Sequence, residues 1–421
     1  MMQFDRFSFA KALLPRASFR SLALTLVVAS CLSGCFKLPV PRFEPPRAAG
    51  ADIRRLVAGE CLLPTSRNNR VQIHLGGETT HQAMLAFIRS AKRSLHVEMF
   101  IFHDDATGKE VADALIARAK EGLDVRIRLD SLGVEGARTD YRMFDYLRQG
   151  GVRVQTHNPW YWSPTGFNVT HRKLFVADQR RALTGGVNVG DEYRYHYYDA
   201  MLEIDGDAAR QISQVFQEAW GEDLAAQVLE QDAAPAPGSE PLQIALAAPG
   251  TSQAHEIRNA YLTAAHGASE SLDAAFPYFW DEELVSAFAE AAQRGVRVRV
   301  LLPDWGRFDA LHLLNQSSAR RLAASGAQIA LVKEKFLHLK YLAADRKWAS
   351  LGSANGDTRS LIENHELNVF FMRRRTVQAI DKLVYAPLWE SAHHIAHTAE
   401  FEPPPAQGWT LPLLEGIKSW L

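Results

Sequence analysis

Cysteine is scarce: Cys31, Cys35 and Cys61 are the only three in 421 residues, and two of them fall in a leader-like segment, so no disulfide framework braces this chain. An excess of one charge is absent as well. The 47 basic and 48 acidic side chains nearly cancel, which excludes the global field that draws strongly basic proteins to nucleic acid and leaves partners to be recognised locally. No grouping of Cys, His and carboxylates has familiar metal-ligand spacing, so neither a metal nor a cofactor is expected. The N-terminal apolar run, Leu22 to Ala29, is well short of the roughly 20 residues a bilayer core requires, which argues against an uncleaved anchor helix. What the chain does have is length for two to three folded units.

Arg6, Lys11, Arg16 and Arg20 precede the apolar run, and Leu32-Ser33-Gly34-Cys35 follows it. Residues 1–34 read as an export signal. The segment resembles a bacterial lipoprotein signal, which implies cleavage before Cys35 and acylation of that cysteine, leaving a membrane-anchored protein of the cell envelope that faces the periplasm. Phe36 in place of Asp after the cysteine favours the outer membrane by the same resemblance. Pro39, Pro41, Pro45 and Pro46 suggest that residues 35–68 form a tether, extended by about 3 Å per residue.

The rest reads as one design used twice. An amphipathic stretch around Met84, Leu85 and Ile88 leads to an apolar strand from Leu95, a helix over Glu110 to Lys120, Gly122, and the alternating strand VRIRLD ending at Asp130. The order returns as AYLTAA from Ala260, SLDAAFPYF from Ser271, a helix over Glu282 to Gln293, Gly295, and VRVRVLLPD ending at Asp304. This is an internal duplication of α/β units around a mostly parallel sheet. The Pro/Ala/Gly-rich stretch 232–241 reads as a linker between a first lobe, 69–231, and a second, 242–400, with a tail over 401–421.

HRKLFVADQRRALTGGVN supplies His171, Lys173, Asp178, Gly185, Gly186 and Asn188; HLKYLAADRKWASLGSAN supplies His338, Lys340, Asp345, Gly352, Ser353 and Asn355. The Lys, Asp and Asn follow their histidine by 2, 7 and 17 residues in both copies, and a carboxylate, Asp199 or Glu366, follows by 28. Residues two apart on a strand share a face, so each His and Lys project together. A phosphodiester meeting both sets finds lysines and asparagines for its non-bridging oxygens, small residues that permit close backbone approach, one imidazole to attack phosphorus and another to protonate the leaving alcohol. Asp199 and Glu366 are placed to accept from the far ring nitrogen of the histidine that each follows.

These paired HxKx4Dx6GxxN strings resemble the HKD motifs of the phospholipase D superfamily, and GGVNVGDEY from Gly185 together with GSANGDTRS, Asn364 and Glu366 is most similar to bacterial cardiolipin synthases. The resemblance implies a bilobal phospholipase D-like α/β fold: two pseudo-symmetric α/β/α sandwich lobes with the active site at their interface. It implies a phosphatidyltransferase in which His171 is the nucleophile of a phosphohistidine mechanism and His338 the general acid/base. The catalytic set is then His171, Lys173, Asp178, His338, Lys340 and Asp345, the two aspartates supporting structure more than chemistry. Phosphate contacts come from Lys173, Asn188, Lys340 and Asn355. Phosphatidylglycerol is the expected donor and acceptor, phosphatidylethanolamine an alternative phospholipid, and nucleic acid no partner; the need for an accessory protein stays open. The rival readings are a phospholipase D-type hydrolase or other phosphodiesterase or nuclease, and a non-catalytic envelope scaffold. Gly356, Asp357 and Thr358 depart from the pattern of many synthases.

Other features carry weaker readings. NPWYWSPTGF, with Trp160, Tyr161, Trp162 and Phe167, suits either a lipid-facing lip or an ordinary loop. Phe276 to Trp280 suits a cavity lining, with core packing as its rival. Leu411, Leu414, Ile417, Trp420 and Leu421 form an apolar stripe expected to dock on the body. Arg373 to Arg375 and the histidines His81, His157, His196, His255, His365, His393 and His394 are given no role.

Overall fold

The computed structural model of the chain describes residues 43–44, 52–61, 63–136, 141–157, 168–222, 238–305, 309–396 and 414. The first half contains α1 (Ile53–Cys61), β1 (Thr65–Leu75), α2 (Gly77–Ser90), β2 (Ser94–Met99), α3 (Ala106–Lys120), β3 (Asp124–Asp130), α4 (Ser131–Gly136), α5 (Tyr141–Gln149) and β4 (Arg153–His157). It continues with β5 (Leu174–Ala177), β6 (Arg181–Gly185), α6 (Asp191–Tyr195), β7 (Tyr197–Tyr198), β8 (Ala200–Gly206) and α7 (Asp207–Trp220). The second half contains β9 (Glu240–Ala247), α8 (Glu256–Gly267), β10 (Ser271–Ala275), α9 (Glu282–Gln293), β11 (Arg297–Pro303), α10 (Asp309–Ala324) and β12 (Gln328–Val332). Then come β13 (Phe336–Leu337), β14 (Tyr341–Ala344), β15 (Trp348–Gly352), β16 (Glu366–Phe371), α11 (Arg374–Ile380), α12 (Ala386–Ser391) and β17 (His393–His394), with π-helical turns at Arg359–Glu363 and Asp381–Tyr385.

Local chemistry sets these elements. Asp105 caps α3 by accepting from the Gly108 N–H, and Asp281 caps α9 by accepting from Leu284. Gly122 and Gly295, at φ +90° and +87°, turn the chain after each helix into a Val/Arg strand. In β3 the alternation sends Val125, Ile127 and Leu129 into the core and Arg126 and Arg128 to the other face.

Fifteen of the strands form one sheet in the order β17-β12-β11-β10-β14-β15-β16-β9-β1-β8-β6-β5-β2-β3-β4, and β7 and β13 pair separately. Read outward from the β1/β9 junction, each half repeats the other strand for strand, with β17 an extra edge. The sheet is continuous across the junction, since β1 pairs with both β8 and β9. Within this sheet only the pairs β2/β3, β3/β4, β10/β11 and β11/β12 are parallel, and its remaining junctions are antiparallel. The mostly parallel sheet expected from helix–strand alternation is therefore a mixed α/β sheet. Tight turns at Asp178-Gln179 and Asp345-Arg346 reverse the chain directly after each motif and impose antiparallel pairing there.

Two boundaries differ from the sequence reading. The expected tether enters the body: Phe43 stacks on His266, Ile53 and Val57 of α1 are fully buried against α8, and β1 starts at Thr65. The expected linker ends in structure, because Glu240 and Pro241 open β9. Composition marks both segments as extended but says nothing of the apolar spacing at Ile53 and Val57. Residues 1–34, Cys35, the aromatic stretch 158–167 and residues 232–237 lie outside the described residues. Of the tail, Leu414 packs on Trp280, Leu313 and Leu314. One apolar cluster lies over each half, and a third spans the midline, joining Leu174 and Ile204 of the first half to Leu339 and Val369 of the second.

Candidate active site

His171 and Lys173 lie just before β5, and His338 and Lys340 just before β14, in extended chain rather than inside ladder strands. Each histidine segment instead runs alongside the other half. Thr170 bridges in parallel to His365, with the His171 N–H donating to the His365 carbonyl at 2.9 Å. Likewise β13 pairs in parallel with β7, and the His338 N–H donates to the Tyr198 carbonyl at 2.9 Å.

That exchange decides which carboxylate meets which imidazole. Nδ1 of His171 lies 2.9 Å from Glu366 Oε1, and Nδ1 of His338 lies 2.6 Å from Asp199 Oδ2. The pairing expected within each repeat is thus reversed: the residue after His365 is Glu366 and the residue after Tyr198 is Asp199, so each ladder delivers its carboxylate to the histidine of the opposite half. With Nδ1 of each ring engaged by a carboxylate, Nε2 is the nitrogen presented for chemistry.

Lys173 and Lys340 are fully buried, and each donates to the backbone carbonyl of its own motif histidine. Lys340 also stands 3.5 Å from Asp199, and Lys173 sits over the Phe100 ring at 5.4 Å. Burial pushes Lys173 well below the ordinary lysine range and Lys340 down to about 8. Two buried ammoniums held in this way are well matched to an anionic oxygen. Asn188 turns its carbonyl to the Ile101 N–H at 3.1 Å, which leaves its amide hydrogens for a ligand. Asn355 differs, since its Oδ1 is buried without a partner.

The carboxylates differ too. Burial raises Asp199 to about 6 despite Lys340 and the Ala200 N–H. Burial also opposes ionisation of Glu366, but His171, Lys173 and the Ser353 hydroxyl outweigh it, and Glu366 sits below its ordinary value. Gly186 occupies the place of Ser353 in the first half, and a Cβ there would fall 2.3 Å from Asp199 Oδ2. Burial holds His171 below its usual value, which favours the neutral ring beside Glu366.

Asp178 and Asp345, counted with the catalytic set on sequence, stand elsewhere. Each is five residues beyond its lysine along an extended chain, roughly 16 Å away. Each adopts left-handed backbone, φ 54° and 53°. Asp178 accepts from the N–H groups of Lys92, Arg93 and Ser94, and Asp345 from those of Ser269, Glu270 and Ser271. They fasten the hairpin turn to the start of β2 or β10 and touch neither histidine.

Several neighbours were not singled out from sequence. Phe100 meets His171 edge-on at 5.1 Å; Tyr193 and Tyr197 pack against His338 at 5.8 and 5.4 Å. Asp130 accepts from the Thr170 N–H at 2.7 Å and steadies the approach to His171. Its place at the end of a strand was legible, its partner was not. Phe276 and Phe279 belong to the core rather than to a cavity lining, and a Cβ at Gly356 would meet the Phe279 ring at 2.3 Å, which accounts for glycine at that departure from the family pattern.

The profile described as "Cardiolipin synthase, PLD-like domain" matches residues 84–220 and 261–386, one segment in each repeat. A cardiolipin synthase of Oceanobacillus iheyensis is 30% identical over 339 residues, covering 77% of this chain and 70% of that protein. The major cardiolipin synthase of Bacillus subtilis is 30% identical over 321 residues, covering 72% and 66%. The solved phosphatidylserine synthase of Haemophilus influenzae has the same fold, with a TM-score of 0.69 at 17% identity over 88% of this chain and 100% of that one.

Proposed function

The chain belongs to the cardiolipin synthase, phospholipase D-like family, and from that premise we propose that it moves phosphatidyl from phosphatidylglycerol to the hydroxyl of a second phosphatidylglycerol, forming cardiolipin and releasing glycerol. It is a phosphatidyltransferase that takes a phospholipid as substrate. The observation that carries the reading is the pair of imidazoles, each fixed at Nδ1 by a carboxylate from the other repeat, in one buried site with two lysines.

In the first step Nε2 of neutral His171 attacks phosphorus, the bond to the leaving glycerol oxygen breaks, and His338 supplies that oxygen's proton. In the second step His338 takes the proton of the incoming hydroxyl, whose oxygen attacks the phosphohistidine and frees His171. Ionised Glu366 favours the charge that His171 acquires on attack, which supports the nucleophile's role for this histidine. Lys173, Lys340 and Asn188 are the groups for the non-bridging oxygens, with Asn355 a fourth through its amide. We further propose a lipid anchor on Cys35 and a periplasm-facing place in the envelope, from the leader sequence alone.

The test is product analysis by mass spectrometry, with phosphatidylglycerol in mixed micelles, excess chelator and a His171→Ala control. Cardiolipin that disappears in the control is expected. Phosphatidic acid as the sole product replaces transfer with hydrolysis, and turnover that survives His171→Ala defeats the mechanism.

A further inference from the structure

Among the described residues three large apolar side chains are exposed: Tyr195 at 49%, Trp305 at 42% and Leu383 at 52%. Exposed apolar residues scattered singly need no explanation. Two of these three are not scattered. Trp305 follows the end of β11 and lays its ring on Phe336, centroids 4.9 Å apart; Phe336 in turn lies 6.2 Å from His338. Tyr195 precedes His196, whose carbonyl accepts from the Phe336 N–H at 3.0 Å. The exposed aromatics thus flank one short ridge, the β7/β13 ladder that carries the chain into His338.

Two exposed lysines stand on the same ridge. Asp304 donates its N–H to the Val332 carbonyl at 3.0 Å, which sets Trp305 beside the exposed segment Lys333-Glu334-Lys335. Arg194 lies over the Tyr195 ring at 5.0 Å and pairs with Glu78 and Glu110 nearby. Aromatic rings with a polar edge settle at the level of lipid headgroups, and lysines beside them favour an anionic surface.

We infer that the ridge of Tyr195, Trp305, Lys333 and Lys335 is the face that this protein sets against an anionic phospholipid bilayer. The inference rests on the reading above that the substrate is a phospholipid. Contact here sets the bilayer against Trp305, which packs on the buried rings Phe336 and Tyr197 beside His338.

Hydroxyl-radical footprinting of the full chain, read residue by residue by mass spectrometry, tests it. The protein is compared free, on phosphatidylglycerol vesicles and on phosphatidylcholine vesicles, with vesicle binding checked by flotation. On phosphatidylglycerol, Trp305 and Tyr195 are expected to lose most of their oxidation rate while Leu383 keeps its own. Lys333→Glu with Lys335→Glu, both at exposed positions, is expected to abolish that protection. Unchanged rates at Trp305 and Tyr195 on bound vesicles overturn the inference, as does failure to float, or protection indifferent to both lipid charge and the lysine reversals. Turnover in micelles is measured alongside. An unprotected ridge in a chain that makes cardiolipin sinks the surface alone, and a protected ridge in a chain that makes no phosphatidyl product sinks the reaction and leaves the surface standing.

Discussion

Replacing Glu366 with Gln tests the crossed pairing of carboxylates and histidines directly. The change keeps the shape and removes the charge that faces Nδ1 of His171 at 2.9 Å. A buried hydrogen bond to a charged partner contributes about 1.5–3 kcal/mol, so loading of phosphatidyl onto the enzyme should slow by about 10- to 150-fold. The loss grows if the amide also lets the ring adopt the wrong tautomer; in serine proteases the equivalent change costs about 10⁴. The assay is a rapid acid quench in single turnover, with a donor whose leaving alcohol needs no protonation. Under those conditions Glu366→Gln should match His171→Ala in kind, failing at loading. Asp199→Asn, which disturbs His338, should load at near the native rate and fail at transfer to the acceptor. If Glu366→Gln loads normally while Asp199→Asn does not, either the crossed pairing or the assignment of nucleophile and acid is wrong. His338→Ala in the same assay tells the two apart: loading there sinks the pairing, and failure there swaps the histidines.

Gly186→Ala should behave like Asp199→Asn without changing any chemical group, because its Cβ would meet the Asp199 carboxylate at 2.3 Å; the same quench assay checks it. Asp178→Asn and Asp345→Asn should lower stability by about 1–3 kcal/mol each, through weaker capping of three backbone N–H groups, with kcat of the folded fraction retained; denaturant titration beside kinetics separates the two effects. The profile of log kcat/KM against pH should fall below about 6, as Asp199 takes a proton and His338 loses its anionic partner, and above about 8, as Lys340 loses the proton it offers to phosphate; these limbs describe the coupled site rather than single residues. For stability the sign is the reverse at the alkaline end. Between about 8 and the ordinary lysine value of 10.5 the unfolded chain binds more protons at Lys340 than the native one, so Lys340 destabilises fully below 8 and progressively less up to 10.5, a trend that thermal melts across this range would reveal.

Sequence periodicity and spacing carried the reading a long way where the physics is local. The Val/Arg alternation of β3 and β11 and the glycines after each helix are consequences of neighbouring residues, and the duplicated offsets brought out both motif sets. What stayed hidden depends on contacts between distant segments. The 28-residue offset shared by Asp199 and Glu366 marked both carboxylates, but an offset along one chain cannot show that His171 lies beside His365 and His338 beside Tyr198. The placement of Asp178 and Asp345 was obscured for a similar reason. Constant spacing from a histidine is equally consistent with chemistry and with a hairpin turn, and only the left-handed backbone with its three N–H contacts distinguishes them.

The continuous sheet explains why the exchange matters. Two repeats that each held a histidine with its own carboxylate could act separately, and nothing would compel them to share a phosphodiester. Crossing makes each half incomplete, since His171 without Glu366, or His338 without Asp199, loses the group that sets its tautomer. The antiparallel β1/β9 junction relates the halves by a pseudo-dyad, which would by itself make the two imidazoles equivalent. One methylene and one hydroxyl break that equivalence. Glu366 with Ser353 is held ionised, while the shorter Asp199 with Gly186 is raised to about 6, and two identical side chains face unlike partners. A nucleophile and an acid need that difference, and here it comes from the partners of the histidines rather than from the histidines themselves.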